Sequence, residues 1–529
     1  DISAQGSDLG TGGFVETSSK INLQAFGSVD ATGGLSNGLW LLDPADVTIT
    51  NAEANGDFND LTPNIFIPNA NSATVNASDI KTSLDAGVDV KIYSSGGDGS
   101  EHGDITIDNN ATSLASLANG SGTTLTLVAA RNITINDEIT AGTNSLNIEL
   151  RAQGDVVITE TITTKGGSFT VGGSNSTGDE TQAFSTVAGS FALSSNKNIN
   201  TTGGSDLDGG AISIKTAVVS GSTGDITLSG NLISTGGTSS GTGRTGGSIT
   251  LNAGVTGSTD GVITVSALTS TGSAGNSNGD DGGPGGSISI DTGTEGVTLT
   301  NNIITSGGAS GGGGGTVGAG GTINIKDAVT LSTNSIAINS GLTSSGNIIF
   351  ASTIDGAQEL DIVSGTGNVI LSGGIGTTTA LTTLDINVDA GQTANITIAQ
   401  NIGPNTNTHG VTGITRIGNV NTADLNLNGT VYTFNGATTF TAVSGGTIDL
   451  QGTSPTITTD NDDITFSTAG VHISDGALTV NSAGGDITVG AITSAGEDET
   501  LTLTDGTGSG TITLGGAATS GSITLVGDT

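Results

Sequence analysis

The sequence has no cysteine and no methionine. The first absence excludes disulfides and thiol chemistry and suits a chain that crosses an oxidising periplasm unfolded, although it is compatible with any compartment. The second leads to the expectation of a processed chain or an internal piece; no signal peptide is visible at Asp1. Aromatic residues make up only 3% of the chain, with one tryptophan, Trp40. Charged residues are 11%, against about 25% in an ordinary soluble protein. Cations are the scarcest: 11 Lys plus Arg face 49 Asp plus Glu, for a net charge of −38. Phosphate binding needs clustered cations, so neither nucleic acid nor an anionic membrane surface is expected as a partner. No apolar run approaches the ~18 residues of a membrane-crossing helix, so no membrane insertion is expected. No helical period runs longer than two turns.

What remains is glycine, 90 of 529 residues, and Ile, Val, Leu and Ala set among Thr, Ser and Asn. That mixture favours strands and tight turns. Short segments alternate almost everywhere: "DITID" at 104–108, "TLTLVA" at 124–129, "NITIND" at 132–137, "LNIEL" at 146–150 and "DVVITE" at 155–160. Each puts apolar residues at i and i+2, on one face of a strand.

The segments recur in sets. Leu125, Leu146 and Phe169 open equivalent strands 21 and 23 residues apart. "GGAISIK", "GGSITLN", "GGSISID" and "GGTINIK" align on Ile212, Ile249, Ile288 and Ile323, with gaps of 37, 39 and 35 residues. Two further strands follow within each unit, and Gly-rich loops at 236–247, 275–286 and 307–321 close the units. Three short strands per turn at a fixed period predict an all-β fold: a right-handed parallel β-helix, or β-solenoid, with inward Ile, Leu and Val stacked into one core. The Gly-rich loops are extensions at one corner, expected to pack on each other because glycine permits close backbone approach. About 20 rungs at ~4.8 Å would make a rod on the order of 100 Å long.

The expected sections are 1–50, 51–123 (irregular), 124–200 (regular), 201–345 (long loops) and 346–529 (repeats of looser spacing). The last strand, "GSITLVGDT" at 521–529, stops in mid-pattern. An uncapped solenoid end exposes apolar cross-section, so either the polypeptide is expected to continue or another subunit to stack there.

Residues 12–18, Gly12-Gly13-Phe14-Val15-Glu16-Thr17-Ser18, followed by Trp40-Leu41-Leu42-Asp43-Pro44, carry a more specific signal. Together they resemble the end of the secretion domain of filamentous haemagglutinin and related high-molecular-weight adhesins, the exoproteins of two-partner secretion in Gram-negative bacteria. The likeness covers about the first 50 residues. It implies that residues 1–50 are the C-terminal part of a secretion domain, with an outer-membrane transporter as partner during secretion and a location on the cell surface or outside the cell. It also implies structural roles for Phe14, Trp40, Asp43 and Pro44, with Trp40 filling the core and Pro44 interrupting strand pairing. The Asn-Pro-rich motifs that such domains carry upstream are not present here.

Chemistry is sparse. The acidity reads as solubility and mutual repulsion, or as oxygen ligands for Ca²⁺. Candidate calcium residues are Asp98 and Asp104 in "GGDGSEHGD" and Asp280-Asp281 in a Gly-rich loop; a solvated turn is the simpler account of the first and a loop kept soluble by charge of the second, and no cofactor is required. His102, His409 and His472 lack ligand spacing. Arg131 and Arg151, near Glu149 and Asp155, read as surface ion pairs rather than as a lyase site. Asn76, Asn110, Asn119 and Asn175 open Asn-x-Ser/Thr triplets. No catalytic residues emerge, and the chain is expected not to be an enzyme. The expected function is that of a secreted adhesin or matrix protein that engages a host or neighbour-cell receptor or glycan in attachment or biofilm contact. The alternatives are a fibre subunit self-associating end to end and a polysaccharide-acting β-helix enzyme.

Overall fold

The structure, a computed structural model, describes residues 2–18, 24–25, 28–34, 38–43, 46–51, 56–58, 66–68, 73–94, 103–120, 122–172, 189–219, 221–254, 260–333, 335–389, 391–404, 409–467, 469–496, 498–506, 510–516, 518–519 and 522–526. The chain divides into two compact units. One comprises Asp1–Gly286, Asp291–Thr294 and Gly311–Gly314; the other comprises Ser287–Ile290, Glu295–Ser310 and Gly315–Thr529. The division falls inside the section of long loops.

Each unit is a parallel β-helix built from three ladders. In the first unit, one turn runs through Thr123–Ala129, Ile133–Ile135 and Ile139–Thr140, and the next through Leu146–Ala152, Val156–Ile158 and Ile162–Thr163. The turns pair in register: Leu125 with Ile148, Ile133 with Val156, Ile139 with Ile162. Every one of these six side chains is fully buried, while Thr126, Thr134 and Thr140 between them face outward. Burying one such branched side chain is worth about 1.5–3 kcal/mol. Ile212 pairs with Ile249 in this unit, and Ile288 with Ile323 in the second. The second unit also adds aromatics to the stack: Phe440 and Phe466 lie nearly parallel with centroids 5.2 Å apart, and Phe434 meets Phe440 edge-on. Tyr432 is buried beside them, its hydroxyl accepting the Gly429 amide at 2.7 Å, and burial pushes its pKa up.

The early section of the first unit departs from this plan. Ala73–Asn76 inserts between Gln24–Ala25 and Val47–Thr50, out of chain order. It leads directly into a helix, Ala77–Asp85, which buries Ala77, Ile80, Ser83 and Leu84. The Asn76 side chain caps it by accepting from the Ser78 amide at 2.8 Å, the usual role of Asn at that position.

Two hydrogen-bond columns hold the corners. Between the first two ladders, each Asp or Asn carboxamide or carboxylate oxygen accepts the amide of its counterpart one turn on. Asp104 accepts from Asn132, Asn132 from Asp155, and Asp155 from Ser190, at 3.1, 2.9 and 2.8 Å. Where the third ladder returns to the first, a buried Ser or Thr hydroxyl clamps a glycine carbonyl: Thr164 to Gly167, Thr201 to Gly210, Ser234 to Gly210 and Ser270 to Gly247 in the first unit. In the second unit the pairs are Thr305 to Gly321, Ser340 to Gly346 and Ser364 to Gly367. Where the hydroxyl and the glycine flank one loop, as in Thr164–Gly167, Thr201–Gly210 and Thr305–Gly321, the clamp closes its neck whatever its length; Ser234 and Ser270 instead reach back to the neck of the turn before.

Beyond their necks the long loops hydrogen-bond to one another. The Gly237 amide donates to Leu207, Asp206 to Thr238, Gly243 to Asp281, and Asn276 to Gly241, at 2.7–3.0 Å. A methyl group on Gly237 would lie 1.8 Å from the Gly204 carbonyl oxygen, so only glycine fits there.

Ser234 both donates to the Gly210 carbonyl and accepts the Gly247 amide at 3.0 Å. Ser234→Ala is expected to cost about 0.5–1.5 kcal/mol, because the Gly210 carbonyl keeps the Thr201 hydroxyl and the Gly247 amide keeps the Ser234 carbonyl, and to speed hydrogen exchange across residues 235–247. Ser234→Thr, which copies Thr201 and Thr305, should leave both nearly unchanged. Chemical denaturation with hydrogen-exchange mass spectrometry checks this.

Candidate functional site

The residues singled out in the sequence do not converge. Trp40 is buried, and its Nε1 donates to Thr17 Oγ1 at 3.1 Å. Phe14 is 56% exposed. Asp43 ends the strand Leu39–Asp43, where its backbone pairs with Ser18; Pro44 lies outside the described residues. Asp98, His102 and Asn175 are outside them too.

Asp104 is engaged twice, by the Arg131 guanidinium (Nε to Oδ1 at 2.7 Å) and by the Asn132 amide. Arg131 thus pairs with the turn before it, not with Asp155, whose Oδ1 takes the Ser190 amide. Arg151 does pair with Glu149, at 2.9 Å. Asp280 Oδ2 accepts the Ser277 amide at 2.9 Å, and the Asp280 and Asp281 carbonyls take amides of neighbouring loops. Among the described residues no group of three or more His, Cys, Asp or Glu could hold a metal ion. His472 meets Thr493 Oγ1 at 3.0 Å on the first ladder. Asn76 is taken up in the helix cap, Asn110 is exposed, and buried Asn119 donates to the Ser145 carbonyl at 2.9 Å.

The densest chemistry lies elsewhere, on the third ladder of the second unit. Pairing there stacks Asp361 on Asp385, Asp385 on Arg416, Arg416 on Thr439, and then Thr465, Thr488 and Thr513 in one outward column. Arg416 grips Asp385 with two parallel bonds, Nε to Oδ1 at 2.9 Å and Nη2 to Oδ2, the geometry that makes Arg–carboxylate pairs strong and directional. Asp385 is 5% exposed, whereas Arg416 reaches into solvent. The bond to Asp385 holds Arg416 still more firmly protonated than usual. The carboxyl of half-buried Asp361 is raised above the ordinary range, first by burial and then by repulsion from Asp385, Asp389 and Glu359.

Beside the pair opens a cleft of about 330 Å³, lined by Val388, Arg416, Asn419, Val420, Thr439 and Thr441 among others. Its wall is braced. Asn419, 6% exposed, donates to the Asn387 and Gln392 carbonyls at 2.6 and 3.1 Å and accepts the Asn421 amide at 2.7 Å. Little in the sequence announces this site. "ELDIV", "TLDIN" and "ITRIG" sit 24 and 31 residues apart in their paired positions, too uneven to be set in register by eye.

Removing one charge tests the cluster. Because the folded state raises the pKa of Asp361, its ionised form opposes folding at neutral pH. That opposition fades as pH falls through the raised value toward the ordinary carboxylate range near ~3.9. Asp361→Asn should therefore raise the melting temperature at pH 7, with the gain vanishing by about pH 3.5. Arg416→Ala strands the Asp385 carboxylate and should cost about 1–3 kcal/mol, below the figure for fully buried pairs because Arg416 is exposed. Thermal melts of both variants across pH 3–8 decide the matter. No family model and no curated protein matches the chain.

Proposed function

We propose that this protein is a secreted exoprotein of the Gram-negative cell surface that serves as an adhesin or matrix protein. The observation that carries the reading is the in-register repetition of outward polar side chains on each unit. Thr48, Thr106 and Thr134 stack on one ladder of the first unit, and Thr439, Thr465, Thr488 and Thr513 on one ladder of the second. A surface of identical positions, each able to make a weak contact, binds through number rather than through one deep pocket. The core beneath takes no part in those contacts, so the outer positions can vary without loss of the fold.

The likeness of residues 12–18 and 40–44 to haemagglutinin-type exoproteins supports the same reading, with an outer-membrane transporter as the partner in secretion. The net charge of −38 keeps such molecules apart in solution and directs them to neutral or cationic surfaces. The reading includes no catalytic step.

Electron microscopy of material released from the producing cells tests it. Separate threads or rods, together with loss of attachment when the chain is deleted, are the expected result. Regular fibres in which the 529-residue unit repeats end to end would replace the adhesin reading with that of a filament subunit.

A further inference from the structure

The cleft beside Arg416 can be assigned a ligand class from its own chemistry. We propose that it binds a neutral oligosaccharide, whose chain continues along the column of Thr439, Thr465, Thr488 and Thr513. This deepens the adhesin reading and rests on it for its biological use, though not for its chemistry.

Sugar hydroxyls need donors and acceptors side by side. Arg416 commits Nε and Nη2 to Asp385, and Nη1 makes no bond among the described residues. The pair with Asp385 fixes the guanidinium plane, so the remaining N–H groups present a rigid fork to two adjacent oxygens. The Thr439 hydroxyl, one turn on, has no partner among the described residues, and Thr441 also lines the cleft. Val388 and Val420, the latter 52% exposed, supply apolar contact for the C–H face of a ring. A cleft of about 330 Å³ is at the small end of ligand sites, suited to one or two rings rather than to a folded partner.

Charge selects among ligands. No carboxylate lines the cleft, and Arg416 does, which disfavours a cationic ligand. Glu359, Asp361, Asp385 and Asp389 crowd behind it, outnumbering Arg416 and disfavouring an anionic one. A neutral polyhydroxyl ligand meets neither penalty. The threonine column then offers one hydroxyl per turn at a spacing of about 4.8 Å, along which a chain longer than two rings can gain further contacts.

The test is calorimetric titration of the full chain with neutral gluco-, manno- and galacto-oligosaccharides of two to six units, against oligogalacturonate and a lysine-rich peptide. At least one neutral series should bind, more tightly as length increases. Arg416→Lys keeps a charge for Asp385 but loses the planar fork, and should weaken binding about tenfold or more. Thr439→Val should weaken all lengths, and Thr465→Val the longer ones only. Thr227→Val, an exposed position in the first unit, should change nothing. Wild-type protein that binds no neutral oligosaccharide, or that prefers the acidic or basic probe, overturns the proposal, as does binding unaffected by Arg416→Lys and Thr439→Val in folded protein. If no sugar binds but cells bearing the chain still attach through it, the cleft fails and the adhesin reading stands. If sugars bind at the cleft while deletion leaves attachment intact, the reverse holds.

Discussion

Parallel in-register stacking is the constraint on which everything else in each unit depends. A strand in the middle of a ladder hydrogen-bonds to the turn before and the turn after, and its side-chain period of two fixes which residues face inward. A slip of one residue would put Thr126 in the core and Leu125 in water. The sequence therefore repeats an apolar-x-apolar core in strand after strand, as at Ile133–Ile135, Val156–Ile158 and Ile396–Ile398, and leaves the middle position free. The core of one turn needs only its two neighbours, so energy accumulates turn by turn rather than around a single centre. This is how a chain with 3% aromatics and no cysteine builds an extensive buried interior from Ile, Leu and Val.

The corners solve a different problem. A chain that turns three times per rung leaves backbone groups at each bend without a ladder partner, and buried ones must be satisfied. The Asp/Asn column does this along one edge: Asp104, Asn132 and Asp155 each lend an oxygen to the next turn. Many of the acidic residues that dominate the net charge are thus structural acceptors. At another edge the clamp by Thr201, Thr305 or Ser340 closes the loop neck. Once the neck is fixed, loop length ceases to matter to the core, and the chain carries anything from the two residues between Thr164 and Gly167 to the fifteen between Thr305 and Gly321.

How much of this is legible in the sequence follows from the same physics. The ladders were, because "DITID" and "NITIND" display their period directly. The alternation that marks a strand has no equivalent for a helix of two and a half turns, and Ala77–Asp85 was missed although Asn76, Ile80 and Leu84 supply a cap and an apolar stripe. Charge pairs were harder still. Proximity in the chain puts Arg131 near Asp155, but the corner column gives Asp155 to Ser190, and register brings Arg131 to Asp104. The Arg416–Asp385 pair spans 31 residues, and only the pairing register reveals it.

That pair also sits where the core departs from its own rule. Down the third ladder of the second unit the inward positions read Ile336, Leu360, Leu384, then Thr415, Thr438, then Ile464 and Ile487. The two threonines occupy the turns that carry Arg416 and Thr439. Thr438 satisfies its hydroxyl on the Gly436 carbonyl at 3.1 Å. Thr415 is fully buried and its hydroxyl has no partner among the described residues, a loss of about 1–3 kcal/mol relative to a paired one. Isoleucine is β-branched like threonine and fills this position in neighbouring turns, so the pleat alone does not demand threonine. Local rules give way where something other than stability is being kept. Here the concession falls on the turns of Arg416 and Thr439, one turn after the buried Asp385 carboxylate and beside the open cleft, so the core is least regular where the surface chemistry is densest.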